Sequence, residues 1–284
     1  MIRYIENDYL KIGVNELGSE LTSIINKING EEYLWQGDEK YWTGRSPILF
    51  PIVGRLIDDC YYLDGKKYTM PKHGFARRML WKFGGADGSS MFFTLSQTEE
   101  TLAMYPYNFT LKVTFSLDRN ALKVTHEIIN ENDSVMYASL GAHPAFNCEI
   151  GDRLVFSEKE ALDTVRIDLV NSLRLPETVP VLRDERVITV TEDIFNEDAL
   201  IFNGVKSDTV TLESDNHSRK VIFHLNNSPW LGIWAKPGAP YVCIEPWCGV
   251  NDSTEKKEDF SQKDAINAIP AGESFVYSWT AEII

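Results

Sequence analysis

Phe109-Thr110-Leu111-Lys112-Val113-Thr114-Phe115-Ser116-Leu117, followed by Asp118-Arg119-Asn120 and then by Ala121-Leu122-Lys123-Val124-Thr125-His126-Glu127-Ile128, is the stretch whose reading decides the fold class. Apolar residues occupy every second position of the first run, with Thr, Lys and Ser between them. A period of two places all the apolar side chains on one side of an extended backbone and the polar ones on the other. The turn-forming Asp118-Arg119-Asn120 interrupts the pattern, and Leu122, Val124, His126 and Ile128 resume it. Two half-buried strands joined by a short turn make an antiparallel hairpin. His126 shares the apolar face of its strand, which predicts a core histidine.

The same grammar recurs along the chain. Ser214-Asp215-Asn216-His217-Ser218 supplies turn chemistry inside a second hairpin across 209–225, which leaves His217 in a turn. Asp64-Gly65 joins Tyr61-Tyr62-Leu63 to Tyr68-Thr69-Met70 in a third. Phe275, Tyr277 and Trp279 predict one face of a last strand. Helical periodicity is scarce, and only 158–162 and 192–199 predict short helices. No repeat of 20–50 residues and no long Gly/Ser/Pro linker divides the 284 residues. The expectation is therefore an all-β chain folded as a single domain over 1–284, an antiparallel sandwich or barrel. The mixed run Glu255-Lys256-Lys257-Glu258-Asp259 predicts a solvated face.

Composition narrows the function classes. With 43% hydrophobic and 12% aromatic residues the chain can bury a large core. The net charge of −14, from 28 basic and 42 acidic residues, disfavours nucleic acid and anionic membrane surfaces as partners. Glu6, Asp8, Lys11, Glu16 and Glu20 break every apolar stretch near the start, so no signal peptide is expected. No run approaches the roughly 18 apolar residues of a membrane helix. Cys60, Cys148, Cys243 and Cys248 form neither CxxC pairs nor a disulfide framework, which predicts reduced, packed thiols in a cytoplasmic protein. Neither metal-ligand spacing nor a Gly-rich phosphate loop is present, so no metal and no cofactor is expected.

Three segments carry chemistry. Glu245-Pro246-Trp247 ends the apolar run Tyr241-Val242-Cys243-Ile244, and a carboxylate at the end of a buried strand needs a partner or a purpose. His73-Gly74-Phe75-Ala76-Arg77 and His143-Pro144-Ala145-Phe146-Asn147 add two imidazoles. One carboxylate and two histidines suffice for proton transfer without a cofactor. On residue type alone, Glu245 is equally compatible with a structural ion pair to an arginine. The histidines are compatible with loop positions bonded to backbone. Pro144 biases His143 toward an extended conformation, and Gly74 predicts a place where a ligand approaches the backbone.

The order HGFAR, HPAFN, EPW, with 70 residues from His73 to His143 and 102 from His143 to Glu245, resembles the aldose 1-epimerases (mutarotases), especially the LacX-type branch. Alanine before Phe146 is a modest departure from the family's histidine–aromatic–asparagine pattern. The resemblance implies a large twisted β-sandwich of the galactose mutarotase-like type, with a sugar site in an open cleft. It implies Glu245 as the base that takes the anomeric proton, with His143 as the acid toward the ring oxygen and His73 holding the ring or the opened aldehyde. It further implies Arg55 as a substrate contact and an acidic residue on the sugar hydroxyls. Asp198 fits that place best, with Asp193 and Asp208 as rivals and helix capping as the alternative for all three. Arg77 could meet substrate or make a surface salt bridge, and Trp247 is the one tryptophan expected near substrate. The implied substrate is a free hexose such as galactose or glucose. Two other readings stay open. One is a hexose 6-phosphate held by some of Arg45, Arg55, Arg77 and Arg78. The other is a carbohydrate-binding or regulatory protein without turnover.

Overall fold

A computed structural model describes residues 1–254 and 259–284. The alternation at Phe109 becomes strand Phe109–Asp118, in which buried and half-buried residues alternate along nine positions. It pairs with Ala121–Asn130 so that Leu122 faces Leu117, Val124 faces Phe115 and Ile128 faces Leu111. Arg119 in the intervening turn has φ 53°, the left-handed conformation that such a tight reversal requires. The other two expected hairpins are also present. Thr209–Glu213 pairs with Val221–His224. Cys60–Leu63 pairs with Lys66–Thr69 around Asp64 and Gly65, both at positive φ.

The last of these hairpins stands as a two-stranded sheet of its own, and the first two lie in the larger of two extensive sheets. A nine-stranded sheet runs from the long hairpin Arg153–Ile167/Arg174–Thr189 through Thr209–Glu213, Val221–His224 and the last strand Ser274–Ile283. It continues through the Phe109–Asn130 hairpin to Ser90–Ser96 and Lys82–Asp87. A six-stranded sheet holds Leu200–Asn203, Trp230–Trp234, Tyr241–Cys248, Leu140–Ala142 and Ile48–Leu49 in that order, with Ala145–Asn147 also paired to Tyr241–Cys248. Their apolar faces share one buried cluster. Phe146 from the smaller sheet meets Phe223 from the larger one at 6.0 Å between ring centres. That is a β-sandwich, whose core is filled by the inward half of each alternating strand. A three-stranded N-terminal sheet (Ile2–Glu6, Leu10–Asn15, Glu20–Asn26) adds Leu10, Ile12, Val14 and Ile24 to the same core.

The two predicted helices are not formed. Residues 158–162 lie inside strand Arg153–Ile167. Pairing with Arg174–Thr189 overrides local preference there, and buried Glu160 turns its carboxylate to a distant loop. Glu160 accepts from Lys206 N at 3.0 Å, Ser207 N at 2.8 Å and Ser207 Oγ at 2.7 Å. Residues 192–199 are a run of turns that ends with Asp198 at φ 73°. The α-helix among the described residues is Glu99–Met104, opened by a capping box in which Thr98 and Thr101 bond reciprocally. The run Glu255–Glu258 lies outside the described residues. Its neighbour Asp259 caps the short turn Phe260–Gln262 by accepting from Ser261 N at 2.9 Å. The four cysteines are free and buried. Among the described residues, no helix is long and apolar enough to cross a membrane.

Candidate active site

Strand Tyr241–Cys248 is buried at all eight positions, because strands pair on both its edges and structure covers both its faces. Cys243, Glu245 and Trp247 alternate onto one face. Glu245 pairs across the sheet with Gly232, and Trp247 with Trp230. Glycine is needed at 232 for a packing reason. A Cβ there would lie 2.7 Å from the Trp247 ring, and one at Gly141 would lie 2.9 Å from it. The two glycines make a slot for the indole, which donates Nε1–H to Glu245 Oε2 at 3.2 Å. Trp247 thus holds the carboxylate and is not stacked on open space.

His143 sits where Leu140–Ala142 gives way to Ala145–Asn147, two short strands that both pair with Tyr241–Cys248. The break at His143-Pro144 lets the imidazole reach across to Glu245, with Nε2 3.2 Å from Oε2. Its ring lies against Trp42 at 4.9 Å and meets the Trp234 edge at 5.7 Å. His73 comes from the other side, its ring 6.2 Å from that of His143. A two-way latch fixes it: His73 N donates to Gly54 O at 2.7 Å, and Gly54 N donates to His73 Nδ1 at 3.1 Å. With Nδ1 accepting, the proton of the neutral ring is on Nε2. Gly74 has a different role from the expected one. A Cβ there would sit 2.0 Å from Phe50 O, so the close approach is by backbone and not by a ligand.

These three side chains converge on one cleft of ≈ 330 Å³ that is also lined by Trp42, Lys72, Arg77, Asp198, Trp234, Trp247 and Asn251, with Ile167, Ala199 and Ile201 as apolar wall. Asp198 reaches it from its left-handed backbone position, its Oδ1 accepting from Ala199 N at 2.8 Å. Asp193 and Asp208 do not line it. Arg77 does, its guanidinium donating to Lys72 O at 3.0 Å while Nε finds no partner among the described residues. Arg55 is not brought to the cleft. It grips Asp59 with both ends of its guanidinium, at 2.7 and 2.6 Å, on the outer side of the molecule. Arg45 donates to Gln36 O, and Arg78 lies in a separate depression.

Sequence reasoning missed Trp42, Trp234, Lys72 and Asn251. Lys72 abuts the HGFAR segment and Asn251 follows EPW by four residues, which is the only local signal either carries. Trp42 and Trp234 have none.

Electrostatics set the proton inventory. Burial pushes the Glu245 carboxyl well above its ordinary range and the Asp198 charge adds to this, while the Trp247 N–H and the Lys72 charge pull it down. Burial lowers His143 to about 3 and His73 well below its usual value. Two buried groups in contact with opposite tendencies hold one proton between them. With a carboxyl group and an imidazole 3.2 Å apart beside an open, aromatic-walled cleft, the arrangement can accept a proton from one substrate oxygen and give one to another.

The family model for aldose 1-epimerase matches residues 2–260. Protein LacX of Lactococcus lactis is 30% identical over 280 residues, spanning 93% of this chain and 93% of that protein. A putative glucose-6-phosphate 1-epimerase of Escherichia coli is 30% identical over 191 residues, 60% of this chain and 58% of that one. Among solved structures, a galactose mutarotase related enzyme from Lactobacillus acidophilus superposes with a TM-score of 0.95 at 29% identity, over 100% of this chain and 97% of its own. The chain belongs to the aldose 1-epimerase family, a family of isomerases, and has the galactose mutarotase-like β-sandwich.

Proposed function

We propose that the chain interconverts the α and β anomers of a free hexose such as galactose or glucose, with Glu245 as base and His143 as acid. The observation that carries the reading is the 3.2 Å contact between His143 Nε2 and Glu245 Oε2 inside the cleft. Glu245 takes the proton of the anomeric hydroxyl and His143 gives one to the ring oxygen. The C1–O5 bond breaks, C1=O forms, and the chain rotates about C1–C2. Reclosure on the other face of C1 returns both protons by microscopic reversibility.

The pair is suited to this because its net charge is the same before and after. Carboxylate with imidazolium begins the opening, and carboxylic acid with neutral imidazole ends it. Burial favours the second state, whereas the Trp247 N–H favours the first, and the Lys72 charge lowers the pKa of both partners alike. His73, with its proton on Nε2, is placed to donate to a ring substituent or to the opened carbonyl. Asp198 and Asn251 offer partners for hydroxyls, and Trp42 and Trp234 offer flat faces for the apolar side of a pyranose.

Glu245→Gln tests the assignment, because the amide preserves shape but cannot take the proton. General acid–base groups contribute about 10²–10⁴-fold, so kcat for mutarotation of a pure anomer should fall by that factor, with KM nearly unchanged. Normal turnover by the folded variant would remove Glu245 from the role.

A second reading, a hexose 6-phosphate substrate, has one observation in its favour: Lys72 and Arg77 both line the cleft. Against it, Arg45, Arg55 and Arg78 are held elsewhere, and phosphate is best bound by clustered donors. A kcat/KM on glucose 6-phosphate far above that on every free hexose would decide for the phosphate.

A further inference from the structure

We propose that His143, Cys243 and Glu245 form a binding site for a thiophilic divalent cation such as Zn²⁺, and that its occupancy shuts off proton transfer. A ring nitrogen of His143, the Cys243 thiol and a Glu245 carboxylate oxygen all lie within 4.8 Å of one another. The strand makes the cluster: Cys243 and Glu245 share a face two residues apart, and His143 is already 3.2 Å from the carboxylate. Tetrahedral zinc with bonds of about 2.0–2.3 Å separates its ligands by roughly 3.3–3.8 Å. Closing the three donors onto one ion therefore takes shifts of about 1 Å or less.

The donor set selects the ion. One sulfur, one nitrogen and one oxygen suit zinc and its neighbours in the transition series, whereas Mg²⁺ and Ca²⁺ seek oxygen cages. Cys243 Sγ makes no hydrogen bond among the described residues, so a cation displaces no existing contact of the thiol. Binding releases two protons, the one on the thiol and the one held by the Glu245–His143 pair. The product is Zn²⁺ with a thiolate, a carboxylate and a neutral imidazole, a centre with no net charge in a dry setting. His143 and Glu245 line the cleft, so the ion enters from there, and its fourth position takes water or a sugar hydroxyl. A bound ion occupies the lone pairs that the reaction uses, so it acts as an inhibitor and not as a cofactor.

That consequence rests on the reading of Glu245 and His143 as the proton carriers, but the site itself does not. The test titrates the intact chain with ZnCl₂ against a chromophoric chelator and follows mutarotation by polarimetry in parallel, for wild type, Cys243→Ala and Cys243→Ser. The expected result is one zinc per chain, with activity lost in step with binding. Cys243 variants that keep turnover should need at least about tenfold more zinc, since loss of even an outer-sphere partner costs 10–100-fold in affinity. Co²⁺ bound to the wild-type chain should give a thiolate-to-cobalt charge-transfer band in the near ultraviolet, a readout that requires no variant. Absence of that band, or zinc binding unchanged in both variants, overturns the site. Zinc bound through Cys243 in a chain without turnover would leave the site standing and overturn the epimerase reading instead.

Discussion

His126 and His143 are both buried, at 1% and 9% exposure, on opposite sides of the sandwich, and the difference between their surroundings is what suits one of them to the proposed proton transfer. His126 lies on the inner face of strand Ala121–Asn130, beside a ≈ 10 Å³ void shared with Ser19, Ser46 and Trp279. Its Nδ1 has no hydrogen-bond partner among the described residues, and burial lowers the ring to about 4. His143 is lowered to about 3 for the same reason, yet Nε2 touches a carboxylate of opposite tendency and the ring borders the cleft. Burial alone makes a histidine neutral. In the proposed mechanism, burial beside a group that wants the proton is what makes His143 a carrier.

On the His143 side the contrast depends on the Trp247 N–H that holds Glu245. Trp247→Phe keeps the ring in the glycine slot but removes the N–H that holds Glu245. A hydrogen bond to a charged group is worth about 1.5–3 kcal/mol, so kcat should fall by roughly 10–100-fold. KM should move little, and the pH at which activity rises should shift upward, because the carboxylate has lost the donor that lowers its pKa. A pH–rate profile identical to wild type would show that the indole serves packing alone.

On the His126 side the expected effect is on stability. A folded value of about 4 against an ordinary 6.5 is a depressed pKa. Its contribution is therefore present above pH 6.5 and is lost as pH falls from there toward 4. His126→Gln cannot take up that proton. Denaturant titrations across the window should show the pH slope of unfolding reduced by up to about 1.4 kcal/mol per pH unit, with kcat unchanged. A slope that stays the same, or turnover that falls with it, would erase the contrast between the two histidines.

The smallest expected effect is at Arg55. Its guanidinium is engaged with Asp59 in an exposed i, i+4 pair away from the cleft. Arg55→Ala should leave kcat/KM for a hexose at the wild-type level, and a substantial rise in KM would return this residue to the substrate.

How much of this was legible in the sequence follows from where the information resides. The Phe109–Ile128 hairpin could be read because a one-sided strand writes its burial as a period of two. Tyr241–Cys248 could not be read that way, since a strand covered on both faces has no period. It was found through its misplaced carboxylate. The stretch 158–162 misled because Glu160 is spent on a loop 46 and 47 residues away, which no local propensity records. Trp42 and Trp234 reach the cleft only through the fold, and Arg55 is drawn away from it by its pair with Asp59. Gly74 was singled out for a close approach, which is made by the Phe50 backbone and not by a ligand.

In the proposed mechanism Glu245 and His143 act as one unit, and a double-mutant cycle tests that most directly. Rates of mutarotation of a pure anomer would be measured for Glu245→Gln, His143→Asn and the double variant, each above the spontaneous background and each shown to be folded. Each single substitution should lower kcat by about 10²–10⁴-fold. The double variant should be close to the slower single one, because removing either member already ends the shared transfer. Losses that multiply would show two independent groups and contradict the shared-proton pair.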